Sequence, residues 1–379
     1  MDDVTFDRWV RQMSERTRIS RRAWGSGLLG AALAAISTAE AEAKKKKPKR
    51  CDPCQTLKKG KCIGSKADGT ACSGGTCLGG QCARRDAYRF LTTWGEEGSG
   101  EGQFQSPFGV GVDLSGNVYV TEVSLGRVQM FDGGGGFLHT WGAQGSADGL
   151  FDTPRSIAIG SDGSIYVADT GNVRIQKFNS SRIFTTKWGS RRQQDTDYFT
   201  FPYGVAVSNT GSVYVTDFGA GLVKKFTSAG EFITSWGEPG TANGKFTSPA
   251  GIAVDRDSNV YVADQGNHRI QKFTSGGGFV TAWGVRGEGN GEFNSPTGIA
   301  VDQFGDVYVA DTLNRRIQKF DSNGTFITKW GALGNGDGQF QRPNGVAVTS
   351  AGRVVVTDTD NDRVQVFAPV AARSSRGGE

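Results

Sequence analysis

From Tyr88 onward, short runs of alternating apolar and polar residues follow one another, separated by Gly, Asp and Asn. One unit contains four such runs, Ile299–Asp302, Val307–Asp311, Arg316–Phe320 and Phe326–Trp330. Alternation with a period of two residues indicates a strand with one apolar side, and the residues between the runs favour tight turns. The pattern therefore predicts four short strands per unit, which is the content of one β-propeller blade.

The same unit recurs six times along the chain. Trp-Gly pairs mark it at intervals of 47 or 48 residues, at Trp94, Trp141, Trp188, Trp236, Trp283 and Trp330. Prolines keep the same rhythm, at Pro107, Pro154, Pro202, Pro249, Pro296 and Pro343. A fixed period of this length is typical of units that pack on their neighbours. The predicted fold class is all-β, a six-bladed β-propeller over residues 87–370.

The two ends of the repeat array complement each other. The sixth unit stops at Val364–Phe367 without an outer strand ending in Trp-Gly, and Tyr88–Trp94 precedes the first unit as a spare outer strand. Pairing of these two segments completes the sixth blade and removes the exposed sheet edges that an open array would keep. The sequence therefore predicts a closed ring.

The units resemble NHL repeats. Three segments of the fifth unit, Pro296–Asp302, Val307–Asp311 and Asn314–Phe320, follow the consensus of that family almost throughout. The resemblance covers Tyr88 to Val370 and is closest in the second, fourth, fifth and sixth units. It implies a six-bladed propeller that binds ligands on the face formed by its connecting loops.

Residues 1–43 have the organisation of an export signal. A polar, basic stretch ends at Arg21-Arg22, an apolar Gly/Ala-rich run follows from Trp24 to Ile36, and small residues come next. The segment resembles a twin-arginine signal, although Trp24 and Gly25 depart from the Phe and Leu that such signals favour. The run is shorter than the roughly 20 apolar residues of a membrane span, and its glycines oppose a cytosolic amphipathic helix. We predict an exported protein (extracellular, cell-surface or periplasmic) with no permanent membrane span, a basic linker at 44–50 and a disordered tail at 371–379.

All six cysteines precede the repeats, at Cys51, Cys54, Cys62, Cys72, Cys77 and Cys82. An even number of cysteines behind an export signal favours three disulfides in a small, loop-rich module, here residues 51–86. The sequence leaves all 15 pairings of six cysteines open. The alternative is a zinc site begun by Cys51 and Cys54, but a second close pair or nearby histidines would be needed to complete it.

Charge is divided unevenly along the chain. Of 43 Lys and Arg and 38 Asp and Glu residues, 18 and 9 lie in residues 1–86, which leaves 25 basic and 29 acidic residues in the remainder. A protein that binds nucleic acid through phosphates carries its basic excess on the binding domain. RNA binding, as in animal ligases with NHL propellers, is therefore disfavoured. No RING or B-box pattern precedes the repeats.

A charged pair recurs in nearly every unit, with an acid after the second strand and an Arg at the start of the third. Its members are Asp169 and Arg174, Asp264 and Arg269, Asp311 and Arg316, and Asp358 and Arg363. A pair at fixed spacing in successive units is explained most simply by a salt bridge inside each blade that holds a turn. We therefore interpret these residues as structural.

Candidate binding residues are those at which the repeat varies. Two sets of loops are expected to share one face around the central channel: those from an outer strand to the next inner strand, and those from a second strand to a third. We call this face the loop face. The residue after the repeated proline varies as Phe108, Arg155, Tyr203, Ala250, Thr297 and Asn344.

The third blade departs most from the repeat. The loop that leads into it is one residue longer, contains Arg191-Arg192 and ends at Tyr198; Phe218 follows its acid, and Leu222 replaces its Arg. Arg with aromatic residues is the composition of binding hot spots. The candidate site for a protein, small-molecule or carbohydrate partner is Arg155, Arg191, Arg192, Tyr198, Tyr203, Phe218, Phe108 and Asn344.

Residues suited to catalysis are few. His139 and His268 are the two histidines of the chain, so the several-histidine zinc site of a peptide-amidating lyase, which shares this propeller, cannot be assembled. Asp358–Asp362 lacks the glycine and the distal glutamate of a usual calcium loop. We therefore predict a binding scaffold with no catalytic residue, cofactor or protein metal site. The alternative left open is a lactonase-like hydrolase or lyase with calcium or zinc in the channel.

Overall fold

The computed structural model describes residues 87–192 and 194–370, and the backbone of five short strands between residues 55 and 84. The predicted export signal (1–43), basic linker (44–50) and tail (371–379) lie outside the described residues, as do the side chains of the six cysteines. Within the described part of the chain, no helix has the length and apolar character that a membrane crossing requires.

The cysteine-rich segment contains two small antiparallel sheets. Gln55–Lys58 pairs with Lys61–Ser65 in the first. The second consists of Ala71–Cys72, Gly75–Leu78 and Gln81–Arg84. Short hairpins are therefore found where the sequence predicted a loop-rich module.

Six four-stranded antiparallel sheets form the six blades of a propeller. The first, innermost strands are Pro107–Val112, Pro154–Ile159, Pro202–Val207, Pro249–Val254, Pro296–Val301 and Pro343–Val348. The second strands are Val118–Glu122, Ile165–Asp169, Val213–Asp217, Val260–Asp264, Val307–Asp311 and Val354–Asp358. The third strands are Arg127–Phe131, Arg174–Phe178, Leu222–Phe226, Arg269–Phe273, Arg316–Phe320 and Arg363–Pro369. The fourth strands of blades 1 to 5 are Phe137–Trp141, Phe184–Trp188, Phe232–Trp236, Phe279–Trp283 and Phe326–Trp330. Short 3₁₀ helices precede the third strands of blades 4 to 6, at Gln265–Asn267, Thr312–Asn314 and Thr359–Asn361.

The predicted six-bladed architecture is confirmed, and in blade 5 the second, third and fourth strands have the predicted bounds. The first strand begins at Pro296 rather than Ile299. Pro296 pairs with Asp311, and a register irregularity separates this pair from the pair of Ile299 with Val309. Because the register is irregular here, Pro-Thr-Gly carries no alternating pattern, and periodicity could not reveal the true start.

The predicted closure of the ring is also confirmed. Tyr88–Trp94 is the fourth strand of blade 6 and pairs antiparallel with Arg363–Pro369. The ring of Tyr88 stacks on Trp330 of blade 5 at a centroid distance of 4.5 Å. Its hydroxyl lies 2.8 Å from that of Tyr308. The strand from the start of the repeat array therefore completes the last blade and ties it to the blade before it.

The apolar core lies between the blades. Between blades 4 and 5, for example, Ile270 belongs to one cluster with Phe293, Val307 and Val309 of the next blade. All residues of the six second strands are buried. This is expected for strands covered on both faces by neighbouring blades.

The repeated Trp-Gly pair is part of this packing. Gly284 has a φ of +99°, and a Cβ there would lie 2.5 Å from the ring of Phe293. Trp283 covers Gly324 of the next blade, where a Cβ would lie 2.4 Å from the indole ring. The pair recurs because each blade boundary needs a large ring that covers the next blade and, beside it, a residue without a side chain.

Close backbone contacts surround the channel. The second residue after the proline is glycine in five blades, at Gly109, Gly204, Gly251, Gly298 and Gly345. A Cβ on Gly298 would lie 2.3 Å from the carbonyl oxygen of Asn344 in the next blade. Blade 2 has Ser156 instead, whose hydroxyl accepts a hydrogen bond from the backbone N–H of Val205 at 3.1 Å. Glycine is therefore favoured where two inner strands meet closely, and in blade 2 a serine takes its place.

Gly298→Ala is expected to lower the free energy of unfolding by about 1–3 kcal/mol, because the added methyl group must push two backbones apart. Gly276→Ala is the matched control, since a Cβ at Gly276 meets nothing within 4 Å. Its stability should change by less than about 1 kcal/mol. Urea unfolding of both variants measures the difference. Equal stabilities would mean that the inner strands do not meet in this way.

Candidate ligand-binding site at one mouth of the channel

All six first strands begin at the same end of the channel, each at its proline. Because the strands of a blade are antiparallel, the turns between second and third strands lie at this end as well. This end is the loop face. A cavity of about 70 Å³ opens there, and we call the opening the arginine mouth.

The residues that follow the prolines line the arginine mouth in five of the blades. Blades 1 to 3 contribute the large side chains Phe108, Arg155 and Tyr203, and blades 5 and 6 contribute Thr297 and Asn344. Among the described residues that line this cavity, Arg155 is the one that carries a charge. The mouth therefore has an aromatic, cationic half and a small, polar half.

Aromatic rings cover the guanidinium of Arg155, whose residue is only 4% exposed. Its Cζ lies 4.9 Å from the ring centroid of Phe108, 5.3 Å from that of Tyr203 and 5.8 Å from that of Phe201. Cation–π attraction acts at distances up to about 6 Å and strengthens when water is excluded. The rings therefore hold the guanidinium in place.

The rings also contact one another. Tyr203 stacks on Phe218, with centroids 5.2 Å apart and planes at 19°. Phe108 meets Tyr203 edge-on at 5.8 Å, and Phe201 lies 5.9 Å from Phe218. These four residues, which we call the aromatic cluster, combine inner-strand starts with a turn between second and third strands.

Phe201 was missed in the sequence, although a signal was present. The residue before the repeated proline is Ser or Thr in four blades, at Ser106, Thr153, Ser248 and Ser295. Phe201 replaces this small polar residue with a bulky ring. The substitution stands beside two positions that the sequence did single out, Tyr203 and Tyr198.

Hydrogen bonds position the polar half of the mouth. The side-chain amide of Asn344 donates to Thr359 Oγ1 at 2.8 Å, and Thr359 donates to the carbonyl of Pro107 at 2.7 Å. The Thr297 hydroxyl accepts a hydrogen bond from Gln265 Nε2 at 3.0 Å. Asn344 and Thr297 are both buried, so their side chains are fixed before any ligand arrives.

Arg191, Arg192 and Tyr198 lie apart from the arginine mouth, on the loop that leads from blade 2 to blade 3. Both arginines are exposed, and Arg191 donates to the carbonyl of Gly171 at 2.5 Å. We call residues 190–198 the outer loop. Of the predicted site residues, Phe108, Arg155, Tyr203, Phe218 and Asn344 are therefore gathered at the mouth, and the other three are on the outer loop.

Lys224 supplies the cation that blade 3 would otherwise lack. Leu222 occupies the position of the repeated Arg, and Lys224 occupies that of the repeated Gln and donates to the carbonyl of Tyr198. Burial lowers the pKa of Lys224, and the Asp217 carboxylate opposes this shift. Sequence reasoning missed Lys224, whose signal was a Lys-Lys pair where blades 2, 4 and 5 have Gln-Lys.

In the other blades, the repeated pair clamps a loop on the loop face. Arg316 Nε donates to Asp311 Oδ2 at 2.7 Å, and its Nη2 donates to the carbonyls of Gly289 and Glu292, both at 2.8 Å. The corresponding Nε–Oδ2 distances are 2.6 Å for Arg174 and Asp169, 2.8 Å for Arg269 and Asp264, and 3.1 Å for Arg363 and Asp358. These side chains are engaged by their own blade and its loop.

The opposite mouth of the channel differs in charge. Its cavity has a volume of about 220 Å³, and its charged lining residues are Asp113, Asp255, Asp302 and Arg256. Val and Ile side chains of the first strands line the channel between the two mouths. The two ends therefore offer different chemistry.

In the described part of the chain, no three His, Cys, Asp or Glu side chains come together in a way that could hold a metal ion. His139 is exposed on the outer strand of blade 1. His268 Nδ1 accepts a hydrogen bond from the backbone N–H of Ser295 at 3.0 Å, and burial lowers its pKa. Neither histidine lines the arginine mouth.

The NHL repeat family model matches the chain five times, at residues 151–178, 199–226, 246–273, 293–320 and 340–367. Each match begins at the phenylalanine that precedes a first strand, and the first four end with the third strand of the same blade. No curated protein sequence matches the chain.

Solved structures with the same architecture have low sequence identity to the chain. A protein of unknown function from Bacteroides thetaiotaomicron is 18% identical with a TM-score of 0.60, over 74% of this chain and 76% of that one. Virginiamycin B lyase from Staphylococcus aureus is 13% identical with a TM-score of 0.52, over 75% and 100%. A gluconolactonase from Xanthomonas campestris is 13% identical with a TM-score of 0.52, over 71% and 87%. At such identities the similarity concerns the fold alone.

Proposed function

Because the chain belongs to the NHL-repeat β-propellers, we propose that it is a binding protein whose loop face holds a peptide or protein partner at the arginine mouth. The repeated residues build the ring and clamp its loops. The residues that break the repeat supply the site.

The convergence of variable positions on one mouth carries this proposal. Phe108, Arg155 and Tyr203 come from three successive blades, yet their side chains contact one another around a single cavity. Tyr and Arg dominate binding hot spots, which form around buried pockets. Substitutions that accumulate in a repeat without selection for binding would not be expected to bring these three side chains together around one cavity.

The rigidity of the site also supports binding. The aromatic cluster is packed in fixed mutual geometry, and Asn344 and Thr297 are held by hydrogen bonds. A site that is ordered before binding loses little conformational entropy when a ligand arrives. The arginine mouth has this property on both of its halves.

The outer loop extends the same face. Arg191 and Arg192 are exposed there, and the loop is anchored through internal hydrogen bonds such as that from Gly189 N–H to Asp197 Oδ2 at 3.0 Å. A partner larger than the mouth can therefore contact a second, cationic surface. This favours a macromolecular partner over a ligand that is enclosed entirely in the cavity.

Selection from a displayed peptide library tests the proposal. Peptides selected on the wild-type protein are expected to lose at least about tenfold in affinity, which is 1.4 kcal/mol, for Tyr203→Leu and to weaken for Arg191→Ala/Arg192→Ala. Asn209→Ala is the matched control, because Asn209 is exposed at the opposite mouth. Melting temperatures establish that each variant is folded. Undiminished binding by both loop-face variants, or binding lost only in Asn209→Ala, would overturn the proposal.

A further inference from the structure

We propose that the group bound at the arginine mouth is a carboxylate, from an acidic peptide or from a small organic acid. This inference rests on the proposed function and names the chemistry of the ligand that the loop face recognises. It follows from the charge, the surroundings and the size of the cavity.

The charge of the cavity favours an anion. Arg155 is the one charged residue among the described residues lining the arginine mouth, whereas Asp113, Asp255 and Asp302 outnumber Arg256 at the opposite mouth. The two mouths therefore attract groups of opposite sign. An anionic group enters at the loop face.

The surroundings of Arg155 strengthen the attraction. The guanidinium lies among the rings of Phe108, Phe201 and Tyr203 and is almost completely buried. Water screens such a charge poorly, so a hydrogen bond to an ionised partner is stronger there than at an exposed arginine. The rings also restrict the guanidinium to one position, which reduces the entropy lost on binding.

The size of the cavity suits a small anion. A volume of about 70 Å³ is several times the roughly 10–15 Å³ that one enclosed water molecule needs. A carboxylate with one or two methylene groups fits in such a space. The floor is formed by Val and Ile side chains, among them Val110, Ile157 and Ile299, so it accepts methylene groups better than a third anionic oxygen. A planar, two-oxygen carboxylate also matches the fork of a guanidinium.

The carboxylate is therefore expected to enter at the loop face, with the rest of its molecule outside the mouth. Glutamate and aspartate side chains, a peptide C-terminus and a short aliphatic acid all present this group. Asn344, which is held in place by Thr359, lines the opposite wall and gives the site a second polar group.

Titration calorimetry with propionate and propionamide tests the inference on the intact chain. The two probes have the same shape and differ in charge. Propionate is expected to bind the wild-type protein with a dissociation constant on the order of 1–10 mM, as suits a ligand of five heavy atoms, and propionamide at least about tenfold more weakly. Equal affinity for the two probes, or no binding of propionate, would overturn the assignment without any variant.

Two variants locate the site. Arg155→Met keeps the length and the apolar stem of the side chain and should weaken propionate binding at least about tenfold. Arg256→Met makes the same chemical change at the opposite mouth and should leave binding unchanged. Propionate binding that survives in Arg155→Met, or that is lost in Arg256→Met, contradicts the assignment. Methyl phosphate that binds more tightly than propionate also contradicts it.

A last pair of probes distinguishes the two sources of the carboxylate, an acidic peptide and a small organic acid. Blocked tripeptides Gly-Glu-Gly and Gly-Gln-Gly, with acetyl and amide ends, differ only in the carboxylate. Tighter binding of the Glu peptide than of propionate identifies an acidic peptide, and weaker binding identifies a small acid; both support a carboxylate site. If selected library peptides bind the loop face equally well in Arg155→Met, and propionate does not bind, the carboxylate inference fails while the proposed function stands.

Discussion

A chain that begins at Gly95, and so lacks Tyr88–Trp94, is expected to melt at least about 10 °C below a chain that begins at Ala87. Four half-buried apolar side chains are lost with this strand, and each contributes on the order of 1 kcal/mol. Their loss, with that of the strand pairing, removes about 5 kcal/mol or more from a typical total of about 5–15 kcal/mol. For a domain of this size, each kcal/mol shifts the melting temperature by about 2–4 °C.

The position of the strand explains why the effect should reach the whole ring. Tyr88 stacks on Trp330 of blade 5, and Trp94 contacts Phe131 of blade 1 at a centroid distance of 5.7 Å. Removal therefore exposes packing on both sides of blade 6 and leaves Arg363–Pro369 as a bare edge. A ring that opens at one blade loses the mutual support of its neighbours.

The chain that begins at Ala87 serves as the control, because it keeps the closing strand and omits everything before it. Differential scanning calorimetry of the two chains gives the comparison. Equal melting temperatures would mean that Tyr88–Trp94 does not close the ring.

Arg316→Met is expected to lower the free energy of unfolding by about 3–5 kcal/mol, since removal of one partner leaves a buried charge uncompensated. Asp311 has no exposed surface, and Arg316 also clamps the loop through the carbonyls of Gly289 and Glu292. Urea unfolding at neutral pH measures the change.

The loss should shrink as the pH falls. Burial raises the pKa of Asp311, and the hydrogen bonds from Asn294, Asn314 and Arg316 oppose this shift. Without Arg316, the effect of burial on the pKa of Asp311 is less opposed. The folded state therefore binds a proton at Asp311 more readily than the unfolded state does. A carboxyl group with a raised pKa in the folded state stabilises the fold increasingly as the pH is lowered. The difference between variant and parent is therefore expected to be greatest at neutral pH.

Blade 3 provides an internal control for this prediction. It keeps the buried Asp217 with Leu222 at the Arg position and Lys224 at the Gln position. The double variant Arg316→Leu/Gln318→Lys places the same two residue types in blade 5. It should recover part of the stability that Arg316→Met loses. A double variant less stable than Arg316→Met would contradict the role assigned to Lys224.

The repeated framework could be predicted from the sequence because each blade makes the same physical demands. Every boundary needs a covering ring such as Trp283 and, beside it, a residue without a side chain such as Gly284, so both recur at a fixed period. The spare strand Tyr88–Trp94 could be assigned because it supplied what the sixth unit lacked. The start of the first strand at Pro296 could not be assigned, because the irregular register there leaves no alternation of apolar and polar residues.

The candidate site could be predicted only in part. Phe108, Arg155 and Tyr203 were each recognised as departures from the repeat, but their contacts depend on how neighbouring inner strands meet around the channel. No pattern within a single repeat shows which side chains of neighbouring inner strands come into contact. For the same reason the sequence did not separate Tyr203 at the mouth from Arg191 on the outer loop. The export signal and the three disulfides stay predictions, since they concern residues 1–43 and cysteine side chains outside the described part of the chain.

Urea unfolding of Arg155→Met beside Arg316→Met shows whether the repeated residues build the ring and the variable residues form the site. Both arginines are almost completely buried, and both lose their charge in the same substitution. Arg155→Met should lower the free energy of unfolding by no more than about 2 kcal/mol, because methionine keeps the contact with aromatic rings and gives up the cation–π attraction, which is about 2 kcal/mol when water is excluded. A loss of about 3–5 kcal/mol, equal to that expected of Arg316→Met, would make Arg155 a structural residue and contradict the account.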